Sequence, residues 1–268
     1  MSTEANRVGG IWRFLVACWK ANLSSALEYR LSFLLLAGMM LVNNLMWLFF
    51  WSLFFARFPV VQGWELRDVM MLWAISAGGF GWASVLFGNY YRIATIVSSG
   101  QLDVYLSQPK PVLLHVLASR MSVMAAGDFL FGLLVYAWAG DHTIRGFLLF
   151  AAGLLLAGLL FMGIMIIVGC LAFWYGNSEG IAQQVFNSFV ALTTYPSDIF
   201  RGVARTILFS VVPAGFISYL PIGLLRYFDP AFVFVAVLVT LGLLAIGIVL
   251  FYVGLRRYAS GNAITVRQ

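Results

Sequence analysis

Charged residues are scarce in this sequence. Asp, Glu, Lys and Arg make up 10% of its 268 residues, whereas soluble domains carry about 25%. Hydrophobic residues reach 62% and the mean hydropathy is +0.95, so a soluble fold of this size could not bury them all. Lipid must therefore be the solvent for much of the chain, and we expect an all-α integral membrane protein.

Cysteine and histidine are nearly absent, with two residues of each. Cys18 and Cys170 form no C-x-x-C pair, which argues against a disulfide framework or a zinc site. His115 and His142 fall at opposite ends of a predicted span, roughly 40 Å apart along a continuous helix, and so cannot share a metal. A G-x-S-x-G nucleophile elbow is also missing. We therefore predict no metal site, no catalytic residues and no enzyme active site in this chain.

A phosphate-binding loop is missing too. The only lysines are Lys20, which follows Trp19, and Lys110, which follows Pro109. Since neither follows a glycine, the G-x-x-x-x-G-K-[ST] motif is absent and the chain does not bind ATP by a P-loop. We expect no cofactor on this chain.

The sequence does contain apolar segments near or above the roughly 20 residues that a helix needs to cross a bilayer. We predict six spans within a transmembrane domain at residues 31–257, followed by a cytoplasmic tail at 258–268. The fifth must begin near Ser178, because the apolar run 181–194 alone rises only about 21 Å. The predicted spans are 31–55, 69–91, a third that begins between 112 and 121 and ends at 138, 147–174, 178–194 and 231–255.

Residues 1–30 are predicted as a cytoplasmic N-terminus with an interfacial helix. Between residues 11 and 29, apolar side chains recur at three- and four-residue steps, with polar residues on the other side. Such a helix lies in the plane of the membrane interface. The alternative is a cytosolic helix packed on a partner.

Residues 195–228 are irregular. Pro196 and Pro213 break apolar helices, and Pro221 interrupts a further one, because proline cannot continue the hydrogen-bond ladder. Broken apolar helices at membrane depth are tolerated where they are buried in protein or line a cavity. We therefore expect re-entrant or interfacial helices between spans 5 and 6.

Lys and Arg set the predicted orientation. With the N-terminus inside, ten of these residues lie on the inner side and six on the outer side. This asymmetry favours both termini in the cytoplasm and places the loop 92–111 there.

Polar residues inside the spans are candidate functional sites. Asp128 stands mid-span in MAAGDFLFG, where a bare carboxylate is costly. It serves either as an interhelical hydrogen-bond partner that fixes packing or directly in a substrate pathway or subunit interface. The same two alternatives apply to Asn43, Asn44, Asn89 and Asn187, since amides in lipid find partners on neighbouring helices.

The loop 92–111 is patterned rather than merely polar. Ile93, Ile96 and Val97 share one helical face, Gly100 ends the turn, and a second short apolar stripe follows. The residue before Pro109 avoids helical geometry, so the second helix stops there. A short amphipathic helix with exposed polar residues suits docking into a groove of a soluble partner. The alternative is a surface helix without a partner.

The run G-Q-L-D-x-Y-L-S-Q-P from Gly100 to Pro109 resembles the cytoplasmic signature of ABC transporter permeases of the type-2 exporter class. It is most similar to small bacterial permeases with one six-span domain and a separately encoded ATPase. The interfacial helix, Phe-Trp at 173–174, Tyr-Pro at 195–196 and the ending GLRRYASGNA at 254–263 agree with this resemblance.

The resemblance implies a complex of two six-span halves, identical or paralogous, with two P-loop ATPase subunits that hold ATP and Mg in a bacterial inner membrane. It implies an element that couples the chain to the ATPase: Gly100, Leu102, Asp103, Tyr105, Leu106 and Pro109. Spans 2 and 5 would line the substrate path at the interface between the halves, which implicates Asn89 and Asn187. The segment after Tyr195, with Pro196, Pro213 and Pro221, would form an outer gate.

An apolar path with few fixed charges favours an amphipathic or lipophilic substrate. Two other functions stay open: a membrane anchor or assembly subunit that recruits a soluble partner, and a proton-coupled secondary transporter that uses Asp128.

Overall fold

The structure, a computed structural model, describes residues 2–259 and the side chains from residue 10 onward. Most of the predicted tail, 258–268, therefore lies outside the described residues. About 81% of the structure is helical, and the described residues form no strand. The α-helices are α1 Ser2–Glu28, α2 Arg30–Arg57, α3 Leu66–Phe87, α4 Ile93–Ser98, α5 Leu102–Leu106, α6 Val112–Ala118, α7 Val123–Ala139, α8 Ile144–Gly169, α9 Ala172–Tyr175, α10 Glu179–Thr193, α11 Val203–Ser210, α12 Ala214–Leu220 and α13 Pro230–Leu255.

In the described part of the chain, four helical segments are long and apolar enough to cross a membrane: α2, α3, α8 together with α9, and α13. The number reaches six if each of two bent pairs counts as one span. These pairs are α6 with α7, bent by 77°, and α11 with Ala214–Arg226, bent by 96°. The prediction of an all-α, multi-pass membrane protein is confirmed.

The third predicted span is divided where a continuous helix was expected. Residues 119–122 separate α6 from α7, so the distance expected between His115 and His142 along one helix does not apply. The end of α3 holds this break, because Gly88 N donates to Arg120 O at 2.9 Å and Ser122 N donates to Ser84 O at 3.0 Å. These bonds satisfy backbone groups that a continuous helix would have paired internally.

The fifth predicted span corresponds to α10, which is shorter than the helices that can cross alone. Its 15 residues rise about 22 Å, less than the roughly 30 Å of a hydrocarbon core. After it, the chain forms a 3₁₀ turn at Ser197–Ile199, then α11 and α12.

Pro196 and Pro213 lie at helix breaks, as predicted, but Pro221 does not interrupt a helix. Instead α12 continues through it as a π-helix, Pro221–Arg226. The wider turn tolerates the missing proline N–H because its bonds run to the fifth residue back, as from Tyr227 N to Ile222 O at 3.0 Å.

The core surrounds α3, which packs against α7 and α8 and is buried over most of its length. Small residues permit this closeness: Gly78 of α3 faces Gly132 of α7 backbone to backbone. In contrast, α2 and α13 expose most of their apolar side chains and form the outside of the bundle.

The first helix, α1, begins at Ser2, before the predicted start at residue 11. Only Tyr29 separates its end from the start of α2. Trp19 Nε1 donates to Leu86 O at 2.8 Å, and Asn22 Nδ2 donates to Ala118 O at 2.9 Å. These bonds fix α1 across the ends of α3 and α6.

Candidate functional site

A cavity of about 470 Å³ lies among α2, α3, α7 and α10. We call it the central cavity. Its walls are mainly aromatic, with a few polar groups between the rings. The aromatic residues are Trp47, Trp73, Phe80, Tyr91, Phe161, Phe186 and Tyr195, and the polar ones are Asn43, Asn44, Ser76, Ser122, Asp128, Asn187 and Thr194.

Asp128 and Asn44 form a buried pair in this cavity. Asn44 Nδ2 donates to Asp128 Oδ1 at 2.6 Å, and the two residues are 3% and 2% exposed, respectively. The pair is possible because Gly127 lets the backbone of α2 approach α7 at Ala37. The second carboxylate oxygen, Oδ2, has no hydrogen-bond partner among the described residues.

Trp73 is the second cavity residue with an unsatisfied polar atom. Its ring stacks on that of Trp47, with centroids 5.7 Å apart and an interplanar angle of 22°. Its Nε1 is buried and finds no acceptor within the described chain. The wall of the cavity thus contains a buried N–H donor and a buried carboxylate oxygen without partners among the described residues. Polar groups of this kind orient ligands in otherwise apolar pockets.

The structure brings together four of the five predicted pathway residues. Asn43, Asn44, Asp128 and Asn187 all line the central cavity. Asn89 lies elsewhere, where its Nδ2 donates to Val116 O at 3.0 Å and to Ser119 Oγ at 2.9 Å. It therefore joins the end of α3 to the break between α6 and α7.

Segment 92–111 folds as two short helices, α4 and α5. Gly100 separates them with a φ of +74°, which L side chains rarely adopt. Leu102 is fully buried and anchors α5, whereas Val104 is 63% exposed. Leu106 and Pro109 are exposed as well, so α5 is anchored at Leu102 and leaves apolar side chains exposed at Val104 and Leu106.

Tyr105 ties α5 to the rest of the bundle. Its hydroxyl lies 3.0 Å from Ser119 Oγ, the same oxygen that accepts from Asn89. Its ring also contacts His115, with centroids 5.0 Å apart, and His115 contacts Phe14 of α1. The Ser119 hydroxyl thereby links α5, α6 and the end of α3.

Asp103 of α5 faces the residues that follow α13. Burial and the neighbouring Asp103 carboxylate raise the pKa of the Tyr258 hydroxyl to about 12. Segment 92–111 therefore contacts parts of the chain from α1 to the end of α13.

The opposite end of the bundle carries a charged cluster that the sequence analysis missed. Arg226 donates to Asp68 Oδ2 at 2.6 Å and to Glu65 Oε1 at 3.0 Å. It lines a second cavity of about 680 Å³ with Arg67, Asp141 and Arg145. The signal was Glu65-x-x-Asp68 just before an apolar run, a spacing typical of a helix start, which here forms a capping box.

The predicted gate residues lie at separate places in the fold. Tyr195 lines the central cavity and packs on Trp51, with ring centroids 6.1 Å apart. Pro196 precedes the 3₁₀ turn, Pro213 precedes α12, and Pro221 lines the charged second cavity. Asp198 of the turn accepts from Trp64 Nε1 at 2.8 Å and pairs with Arg205 at 3.0 Å.

Among the described residues, no group of three or more His, Cys, Asp or Glu side chains could hold a metal ion. The central cavity is a candidate site for a small molecule, and segment 92–111 is a candidate site for a protein.

Comparison with known proteins agrees with this architecture. A family model described as ABC-2 family transporter protein matches residues 41–261. No curated protein and no solved structure matches the chain. The matched region includes segment 92–111, α3 to α13 and nearly all of the central cavity. Because the match covers well over half of the sequence, the chain belongs to the ABC-2 family of transporter proteins and is an ABC transporter permease.

Proposed function

We propose that this chain is the transmembrane permease subunit of an ATP-driven exporter that moves an amphipathic or lipophilic substrate across the bacterial inner membrane. Two P-loop ATPase subunits hold ATP and Mg, and a second permease half, identical or paralogous, completes the complex. Both termini lie in the cytoplasm. The observation that carries this proposal is segment 92–111, which combines a buried anchor at Leu102 with exposed apolar side chains at Val104 and Leu106 inside a chain of the ABC-2 family.

Three features of segment 92–111 support a coupling role. Val104 and Leu106 offer apolar surface outside the bundle, typical of a protein docking site. Leu102 is fully buried, so in our proposal a displacement of α5 also displaces the residues packed around Leu102. The hydroxyl chain from Tyr105 through Ser119 to Asn89 then carries the displacement to the end of α3 and to the break before α7.

Both helices reached in this way line the central cavity: α3 through Trp73 and Ser76, α7 through Asp128. In our proposal, approach of the two ATPase subunits moves α5, and α3 and α7 shift so that the cavity changes from inward- to outward-facing. The segment from Tyr195 to Pro221 opens the outer side. In our proposal, the ion pair of Arg226 with Asp68 breaks when that side opens.

Substitution of Tyr105 or Asp103 by Ala tests the coupling. We expect either variant to lose assembly with the ATPase or substrate-stimulated ATP hydrolysis, while the chain remains folded in the membrane. Tyr175→Ala is the matched control, since Tyr175 is 76% exposed and lies outside segment 92–111. If both variants kept full assembly and full stimulation, the coupling role of the segment would be wrong.

A further inference from the structure

The charge distribution of the central cavity narrows the class of substrate. Asp128 is the only Asp or Glu among the described residues that line it, and that lining includes neither Lys nor Arg. Any formal charge in the cavity is therefore negative, which opposes an anionic ligand.

The Asp128 carboxylate is incompletely compensated. It is 2% exposed and accepts one hydrogen bond, from the neutral amide of Asn44. Its Oδ2 has no partner among the described residues. A buried carboxylate is costly until it is paired with a positive charge, so a cation in the cavity would stabilise it.

The walls of the cavity suit the rest of such a ligand. Trp47 and Trp73 present stacked indoles, and Phe186 stacks on Tyr91 with centroids 5.4 Å apart. Aromatic faces attract cations, tryptophan most strongly, and the same rings pack against apolar groups. The volume of about 470 Å³ lies within the range of roughly 300–1,000 Å³ typical of small-molecule sites.

We propose that the central cavity binds a lipophilic organic cation, whose positive charge is compensated by the Asp128 carboxylate in the cavity wall and whose apolar body packs against the aromatic residues. This inference rests on the proposed function only in taking the cavity as the substrate site.

The test is equilibrium binding of radiolabelled tetraphenylphosphonium to the purified full chain in lipid nanodiscs, with empty nanodiscs as the blank. We expect saturable binding. Radiolabelled tetraphenylborate, an anion of the same shape measured in a separate experiment, should show no saturable binding. Asp128→Asn keeps the size of the side chain and its acceptor for Asn44 but removes the charge, and we expect it to weaken binding by about tenfold or more. Asp128→Glu keeps the charge and should retain most of the affinity.

Two further variants keep the test decisive. Asp141→Asn removes an acid from an exposed loop outside the cavity and should leave binding unchanged. Trp47 takes no part in the hydrogen bond between Asn44 and Asp128. Trp47→Leu should weaken binding about two- to fivefold, which tests the aromatic wall if Asp128→Asn does not fold. Equally tight saturable binding of tetraphenylborate, or unchanged binding in folded Asp128→Asn and in Trp47→Leu, would overturn the proposal.

Since no ATP or ATPase is present, this result is independent of the coupling test. Charge-independent binding would leave an exporter of neutral lipophiles intact. Cation binding by a chain that does not couple to an ATPase would leave the site intact and remove the exporter.

Discussion

At the scale of single residues, the hydrogen bond between Asn44 and Asp128 decides how α2 meets α7. The bond is short, at 2.6 Å, and both side chains are almost fully buried. Inside a membrane there is no water to replace a lost partner, so an orphaned carboxylate is costly. Asn43, the residue before Asn44 on α2, is exposed and serves as a control for the effect of removing an amide side chain.

We predict that Asn44→Ala lowers the free energy of unfolding by about 1–2 kcal/mol, because it leaves both Asp128 oxygens without a partner. Asn43→Ala should change it by no more than about 0.5 kcal/mol. Thermal unfolding of the two variants in the same detergent measures the difference. Equal melting temperatures for both would show that the bond contributes nothing to packing.

Sequence reasoning located Asp128 because an acid inside an apolar run stands out. It could not identify Asn44 as its partner, since 84 residues separate the two and any of several span amides could have reached it. Asn89 shows the converse limit: it was predicted to line the path, yet it bonds to Val116 and Ser119. The break that brings these acceptors beside it follows from tertiary contacts, not from local sequence.

At the scale of elements, the contact between α3 and α7 depends on two glycines. A Cβ on Gly132 would lie 2.6 Å from Ala74 O and 2.8 Å from the Cα of Gly78. Both atoms belong to the backbone of α3, which cannot turn away as a side chain can. By contrast, a Cβ on Gly38 of α2 would meet none of the neighbouring atoms of the described residues within 4 Å.

We therefore expect Gly132→Ala to destabilise the chain by about 1–3 kcal/mol, because α3 and α7 must separate. Gly38→Ala should be neutral or stabilising by up to about 1 kcal/mol, since alanine is the better helix former. Melting temperatures in detergent compare the two. A neutral Gly132→Ala would contradict the close packing of these helices.

The charged cluster joins the π-helix at Pro221–Arg226 to the start of α3. Arg226 pairs with Asp68, whose side chain is 10% exposed, whereas Arg205 pairs with Asp198, whose side chain is 22% exposed. A desolvated pair leaves a buried charge behind when it is broken, and an exposed pair does not.

Arg226→Gln should cost about 1.5–3 kcal/mol and Arg205→Gln less than about 1 kcal/mol. Urea unfolding of both variants in mixed micelles gives the two values. If both substitutions lowered the free energy of unfolding by the same amount, the pair of Arg226 with Asp68 would not hold the π-helix to α3.

Local chemistry made some elements predictable and not others. Pro196, Pro213 and Gly100 mark breaks because their backbone preferences act without help from neighbours. Pro221 was misjudged because a π-turn absorbs the missing donor. The break at residues 119–122 has no proline or glycine, and the hydrogen bonds from the end of α3 stabilise it instead.

At the scale of the whole molecule, the buried helix α3 connects the two candidate sites. It lines the central cavity and runs directly into the turn and short helices of segment 92–111. The candidate small-molecule site and the candidate docking surface thus share one buried helix, as the proposed coupling requires. The family match covers both.

The central claim is that segment 92–111 docks an ATPase, and photo-crosslinking from residue 104 in native membranes tests it most directly. Val104 is replaced by benzoylphenylalanine, and the captured protein is identified by mass spectrometry. Ile144, 83% exposed at the other end of the bundle, is the control position. The account predicts a P-loop ATPase attached at residue 104 and none at residue 144. A chain that captures no ATPase at residue 104 and purifies alone would contradict it and favour the anchor or the proton-coupled transporter.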